Sequence, residues 1–382
     1  MMKKNLLNLL LGCLGLLFAT MLAAQEVVTD LAGRSVRIPA RVERILLGEG
    51  RLIPTLAILE RGDPIRRVVG MPGDFEQLDP AGYAQYATRF PALRQIPRTG
   101  RTTAESFSVE KAISLKPDLA IFGLGGHGPS PKDLETLARL NAAGIVVVFV
   151  DIRQEPLLNT VPSMEVLGRA LGRRKEATEF ITEYQKQLAR VTERLASAKP
   201  RAPTVFLENR VGLSEECCDA MSNGLLGRLL DAAGGRNMAS GVVQGAFGNL
   251  SLEYLLSHPP EVYIGTAIGA RDSVTRTPTR VVLGAGVDAA TARDSLVRAT
   301  QRRGIAHLPT FKQGRAHAIW HHFYTSPFNV VAVQVFAKWL HPELFADLDP
   351  QATLRTFYQR FQPIPLDGQY WTSLTPAPVA TR

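Results

Sequence analysis

Arg173 to Ala198 reads RRKEATEFITEYQKQLARVTERLASA and contains neither glycine nor proline. Its apolar residues fall at Ala177, Phe180, Ile181, Tyr184, Leu188, Val191 and Leu195. Steps of three and four are the period of one helix face. The intervening Lys, Arg, Glu and Gln favour helix and tolerate water. Lys199-Pro200-Arg201-Ala202-Pro203 follows, and proline cannot continue a helix. The stretch predicts an amphipathic helix about 39 Å long at ~1.5 Å per residue. It lies mid-chain, as either one more helix of a single α/β domain or a strut between two lobes.

The flanking sequence favours the strut. Before it, apolar runs at Val42–Leu47, Leu119–Phe122 and Ile145–Val150 alternate with helical segments such as Lys132–Ala143. After it the alternation resumes, with strands expected at Thr204–Glu208, Glu261–Ile264 and Ala316–Trp320. Helices are expected at Asn329–Leu340 and Pro350–Phe361. Strands apolar throughout, alternating with helices, indicate parallel sheets covered on both faces. The fold class is therefore α/β: two Rossmann-like lobes with central parallel sheets, joined by one long rigid helix. The region Asp74–Arg94 reads as polar and irregular. The expected division is a signal peptide at 1–24, a first lobe at 25–156, connecting helices at 157–198, a second lobe at 199–371 and a disordered tail at 372–382.

The halves echo each other. SVEKAISLKPDL (Ser108–Leu119) and SLEYLLSHPPEV (Ser251–Val262) each place a glutamate two residues after a serine, then a short helix, proline, an acid and a buried strand. Taken alone, either glutamate is a first-turn carboxylate favoured by the helix dipole after a serine cap.

The N-terminus carries a basic start (Met1–Asn5), an apolar core (Leu6–Leu22) and small residues before Gln25. This is the layout of a secretory signal cleaved after Ala24. A membrane anchor through the same run, or a lipoprotein modified at Cys13, are the competing readings. Cleavage would leave Cys217 and Cys218 as the only cysteines. Two free thiols, a vicinal disulfide and one half of an intermolecular bridge remain open.

The net charge is +9, spread over the chain with no basic run or aromatic-interleaved stripe. That indicates no nucleic-acid footprint and is compatible with an acidic ligand. There is no G-x-S-x-G elbow, H-E-x-x-H or phosphate loop, so no enzyme class is indicated.

The motifs SVEKAISLKPDLAIF (Ser108–Phe122), AGIVVVFVD (Ala143–Asp151), LLDAAGGRNMA (Leu229–Ala239) and SLEYLLSHPPEVYI (Ser251–Ile264) carry a resemblance. They resemble periplasmic substrate-binding proteins of the helical-backbone class, which serve ABC importers of ferric siderophores, haem and cobalamin. The resemblance spans residues 27–361. It implies two lobes on one long helix, a ligand held between them, and small lobe motions. It also implies that Glu110 and Glu253 match the pair of glutamates that dock on arginine pockets of the membrane permease.

With the ligand at the carboxyl ends of the strands, the candidate contacts are Arg51, the 74–79 loop, His127, Arg210, Arg271 and the loop His321-His322-Phe323-Tyr324. Arginines would grip anionic oxygens, and aromatics would cover a flat ligand face. No histidine follows the first core strand, at Gly48-Glu49-Gly50-Arg51, so a bare-metal site is not expected, nor is an intrinsic cofactor. The expectation is a monomeric periplasmic carrier of an iron chelate, working with a permease and its ATPase. Haem, cobalamin or an oxyanion are the alternative ligands.

Overall fold

The computed structural model describes residues 26–213, 217–270 and 272–374. The predicted signal peptide therefore lies outside the described residues. Among the described residues, no helix is long and apolar enough to cross a membrane.

A hairpin of β1 (Val27–Thr29) and β2 (Ser35–Arg37) opens the chain. The first sheet follows: β3 (Ile45–Leu47), β4 (Val68–Gly70), β5 (Leu119–Gly123) and β6 (Val146–Val150). Its order is β4-β3-β5-β6 and every pairing is parallel. The second sheet contains β7 (Thr204–Glu208), β8 (Asp219–Met221), β9 (Arg236–Asn237), β10 (Phe247–Asn249), β11 (Val262–Ala267), β12 (Ala316–Trp320) and β13 (Trp371–Ser373). Its parallel part runs β9-β7-β11-β12, which repeats the order of the first sheet. In both, the earliest strand is central, the second lies to one side and the third to the other. Antiparallel β8, β10 and β13 extend the second sheet at its edges, so this sheet is mixed rather than parallel throughout.

The sequence echo has a structural counterpart. Helices Val109–Ser114 and Leu252–Ser257 are each capped by a serine, Ser108 accepting from the Lys111 amide and Ser251 from the Tyr254 amide. Each helix then feeds the third parallel strand of its sheet, β5 or β11.

The strut is a helix from Arg174 to Ala198, about 37 Å long at ~1.5 Å per residue. Lys199 ends it in the left-handed conformation, its N–H reaching the Leu195 carbonyl. The apolar face predicted from periodicity is the buried one: Phe180 meets Phe328, Phe357 and Phe361 at ring distances of 5.4–6.3 Å. Below it, Tyr184 Oη donates to Asn329 Oδ1 at 2.7 Å, and Asn329 Nδ2 donates to Thr160 Oγ1 at 2.9 Å. One hydrophobic core therefore runs from Ile53 and Leu56 beside the first sheet, past Phe180, to Phe336 beside the second. Burial of this extent resists wide separation of the two halves.

Two expectations are corrected. The 74–94 region is helical over Asp74–Leu78 and Pro80–Arg89. Asp79 caps the second helix through the Gly82 amide, Pro80 suits its first turn, and Phe75, Tyr83 and Tyr86 are buried. At the other end, Thr372 and Ser373, expected in a disordered tail, join Trp371 in a strand. They pair with β12 in the register Ile319↔Trp371, since a sheet edge satisfies backbone groups that a free tail leaves to water. Residues 375–382 lie outside the described residues.

Candidate functional site

In each sheet the order reverses between the first and third parallel strands, and loops leaving those carboxyl ends splay apart into a crevice. Two glycines let the first-sheet loops pass closely. A Cβ on Gly48 would meet the Phe122 ring at 2.4 Å, and one on Gly128 would meet the Gly48 carbonyl oxygen at 2.5 Å. The loops from both sheets enclose a cavity of about 370 Å³.

Six residues nominated from the sequence line it: Arg51, His127, Arg210, His321, His322 and Tyr324. Arg271 lies outside the described residues. Phe323 does not reach the cavity; it is buried against Trp320 and Tyr370. There it lines a smaller chamber of about 50 Å³ with Phe75, Tyr86 and Tyr358. Arg51 and His322 line both spaces and so form the wall between them. Leu78 represents the 74–79 loop in the larger cavity, and His321 is part of its wall.

Residues not singled out in the sequence complete the lining: Arg153, Asn209, Asp219, Phe247 and Ile268. Arg153 was within reach, because it follows β6 as Arg210 follows β7 and the strand-end rule applies equally to both. Phe247 carried no comparable signal; it reaches the site on an antiparallel edge strand.

The electrostatics are those of a basic pocket with a neutralised floor. Arg51 is 5% exposed. It lies 2.5 Å from Glu49 Oε1 and 3.3 Å from Asp74 Oδ2. Asp74 also accepts from the Gly50 amide at 2.7 Å. Burial, then the nearby Glu49 charge, pushes Asp74 up to about 6. Burial works to raise Glu49 too, but the Arg51 and Arg153 charges outweigh it and hold that carboxyl below the usual range. Among the described residues, no carboxylate is ion-paired with Arg153 or Arg210. Arg153 instead lies over the Tyr324 ring at 5.5 Å. The one acid in the lining among the described residues, Asp219, accepts from Asn209 Nδ2 at 2.8 Å.

Burial holds all three cavity histidines below their ordinary value, His322 at about 3, and neighbouring arginines add to the effect. They are neutral near pH 7, leaving the positive charge on the guanidiniums. Among the described residues no group of three or more His, Cys, Asp and Glu is placed to hold a metal ion. Cys217 and Cys218 form a disulfide across a cis peptide bond, directly before Asp219.

Glu110 and Glu253 stand away from the cavity, each in the first turn of its serine-capped helix. They are not equivalent. Glu110 pairs with Arg139 at 2.7 Å, with the two side chains 72% and 43% exposed. Among the described residues, no cation pairs with Glu253.

Comparison with known proteins agrees with this architecture. Residues 81–292 match the family described as periplasmic binding protein. A cobalamin-binding protein of Halobacterium salinarum is 25% identical over 215 residues, 53% of this chain; the chain spans only 55% of that relative's length. The molybdate-binding protein MolA of Haemophilus influenzae is 21% identical over 378 residues, covering 94% of this chain and 96% of MolA. Among solved structures, the TroA-like periplasmic binding protein FepB from Veillonella parvula superposes with a TM-score of 0.81 at 24% identity, covering 91% of this chain and 99% of that one.

Proposed function

Because the chain belongs to the periplasmic binding protein family, we propose that it is the solute-binding component of an ABC importer and takes an anionic iron chelate into the inter-lobe cavity. The observation that carries the reading is the convergence of Arg153, from the first sheet, and Arg210, from the second, on one cavity, neither of them ion-paired with an acid among the described residues. Guanidinium groups match the oxygen pairs of carboxylates and catecholates. A cavity of about 370 Å³ falls in the range of small-ligand sites. Leu78, Phe247 and Ile268 supply an apolar wall that suits an organic chelator. Binding is reversible and the iron is cargo.

An oxyanion is the second reading. It is favoured by the near full-length match to a molybdate-binding protein and by guanidinium N–H donors in the cavity. The apolar wall weighs against it, since a bare oxyanion has no use for one.

In this proposal residues 1–24 direct export to the periplasm. Glu110 and Glu253 dock the loaded protein on its permease, which an ATPase drives. Their exposure and their matched places on the two halves support that role.

The test is tryptophan fluorescence of the mature protein. Trp320 lies 5.4 Å from the His322 ring and serves as reporter. The panel is ferric citrate, a ferric hydroxamate, a ferric catecholate, molybdate, haem and cobalamin. Saturable quenching by a ferric chelate, lost in Arg153→Ala/Arg210→Ala, is expected. Response to molybdate alone would favour the oxyanion, and silence across the panel would overturn the proposal.

A further inference from the structure

The three cavity histidines have different hydrogen-bond partners, and for two of them those partners dictate where the ring carries its proton. An arginine N–H can only donate and a carbonyl oxygen can only accept. Arg51 Nη1 lies 3.1 Å from His322 Nδ1, and His322 Nε2 lies 2.9 Å from the Leu78 carbonyl oxygen. His322 must therefore carry its proton on Nε2 and accept on Nδ1. His127 is reversed. Its Nδ1 faces the Thr102 carbonyl oxygen, and its Nε2 lies 3.1 Å from Arg153 Nη1. Its proton is on Nδ1 and Nε2 accepts.

His321 differs from both. Its Nδ1 lies 3.0 Å from Thr266 Oγ1, which already accepts from the Arg210 amide at 2.7 Å. A hydroxyl oxygen keeps a second lone pair as well as its hydrogen, so Thr266 can donate to His321 Nδ1 or accept from it and does not fix that ring's proton. Its Nε2 has no partner among the described residues, although the ring lines the cavity.

We propose that His322 and His127 are positioning residues, each a fixed acceptor that aims one guanidinium. The consequence concerns how the pocket is built. Among the described residues no carboxylate ion-pairs with Arg153 to hold it, and a flexible side chain would lose rotamer freedom on binding. A neutral acceptor holds the guanidinium in place without cancelling its charge, so its attraction for an anion is kept. Both ring nitrogens of His127 and of His322 are already used, so these two rings serve as supports and not as ligands to iron or another metal.

This inference deepens the anionic-ligand reading, but its test needs no ligand. Long-range ¹H–¹⁵N spectra of the imidazoles in the mature protein at pH 7, assigned by single variants, should show the Nδ1–H form for His127 and the Nε2–H form for His322. The opposite form at either His127 or His322, or an imidazolium pattern, overturns the assignment. A second measurement reads the positioning itself through rotation of the Arg153 guanidinium. His127→Gln places an amide oxygen near the former Nε2 and should keep rotation slow. His127→Asn places its amide near the former Nδ1 and should speed rotation several-fold. Equal rotation in the two variants would mean that His127 does not hold Arg153. If the tautomers are as stated and the ligand panel is silent, the transport reading fails while this one stands.

Discussion

Arg51 Nη1 donates to His322 Nδ1 at 3.1 Å, joining the loop after the first central strand to the loop after β12 across the floor of the cavity. The two halves are thus fastened at the strut, through packed aromatic rings, and again at the site, through a charged hydrogen bond. Because Arg51 is also the counter-ion of Glu49 and Asp74, the fastening and the neutrality of the floor depend on one side chain.

Replacing Arg51 should therefore be costly. Arg51→Met leaves two buried carboxyls without their cation, which typically costs about 3–5 kcal/mol. Adding Asp74→Asn removes one of them and should recover part of the loss. Urea unfolding of the single and double variants measures both; a single variant within about 1 kcal/mol of the parent would contradict the role given to Arg51.

Acidification should weaken the fold through His322. Burial, then the Arg51 charge, holds this ring at about 3, below the ordinary value of about 6.5 that it regains on unfolding. The unfolded chain binds the proton and the folded chain refuses it. The stabilising contribution is complete above about 6.5 and is lost as the pH falls toward 3, at up to about 1.4 kcal/mol per pH unit for one group. His322→Asn keeps an acceptor near Nδ1 and should flatten the stability profile in that window by about one proton. An unchanged slope between pH 6 and 4 would refute this.

On the proposed docking surface the two glutamates should behave differently. Glu110 must exchange Arg139 for a permease arginine, whereas Glu253 has no such partner to release among the described residues. Arg139→Gln should tighten docking slightly, by less than about 1 kcal/mol, because exposed pairs are weak. Glu253→Gln should weaken docking more than Glu110→Gln does. Stimulation of the reconstituted importer ATPase by each variant distinguishes these outcomes, and weaker docking in Arg139→Gln would show that Arg139 assists the partner directly.

The strut should be intolerant at its centre. Phe180 is fully buried among Phe328, Phe357 and Phe361. Phe180→Ala should cost about 3–5 kcal/mol in urea unfolding. A loss below about 1 kcal/mol would mean that the rings close the gap.

Much of this was legible along the chain because it depends on short-range periodicity. The strut's buried face, the apolar strands and the helices at Asn329–Leu340 and Pro350–Phe361 follow from spacing that a helix or strand imposes on its own residues. The duplicated serine-glutamate segments likewise announced two related halves before any strand order was known. Trp371–Ser373 had no such signal. Three residues contain too little pattern, and they become a strand only because β12 leaves an edge for them.

The cavity divides along the same line. Sequence alone determined which loops lie at the strand ends, and hence that Arg51, His127, Arg210 and the His321–Tyr324 segment belong near one crevice. Tertiary structure decided which way each side chain faces. It buried Arg51 beneath two carboxylates, turned Phe323 into the inner chamber, and brought Arg153 and Phe247 to the wall. A loop residue has no periodic neighbour to set its direction. That direction comes from hydrogen bonds and contacts made by residues far away in the chain, such as the Leu78 carbonyl to which His322 donates.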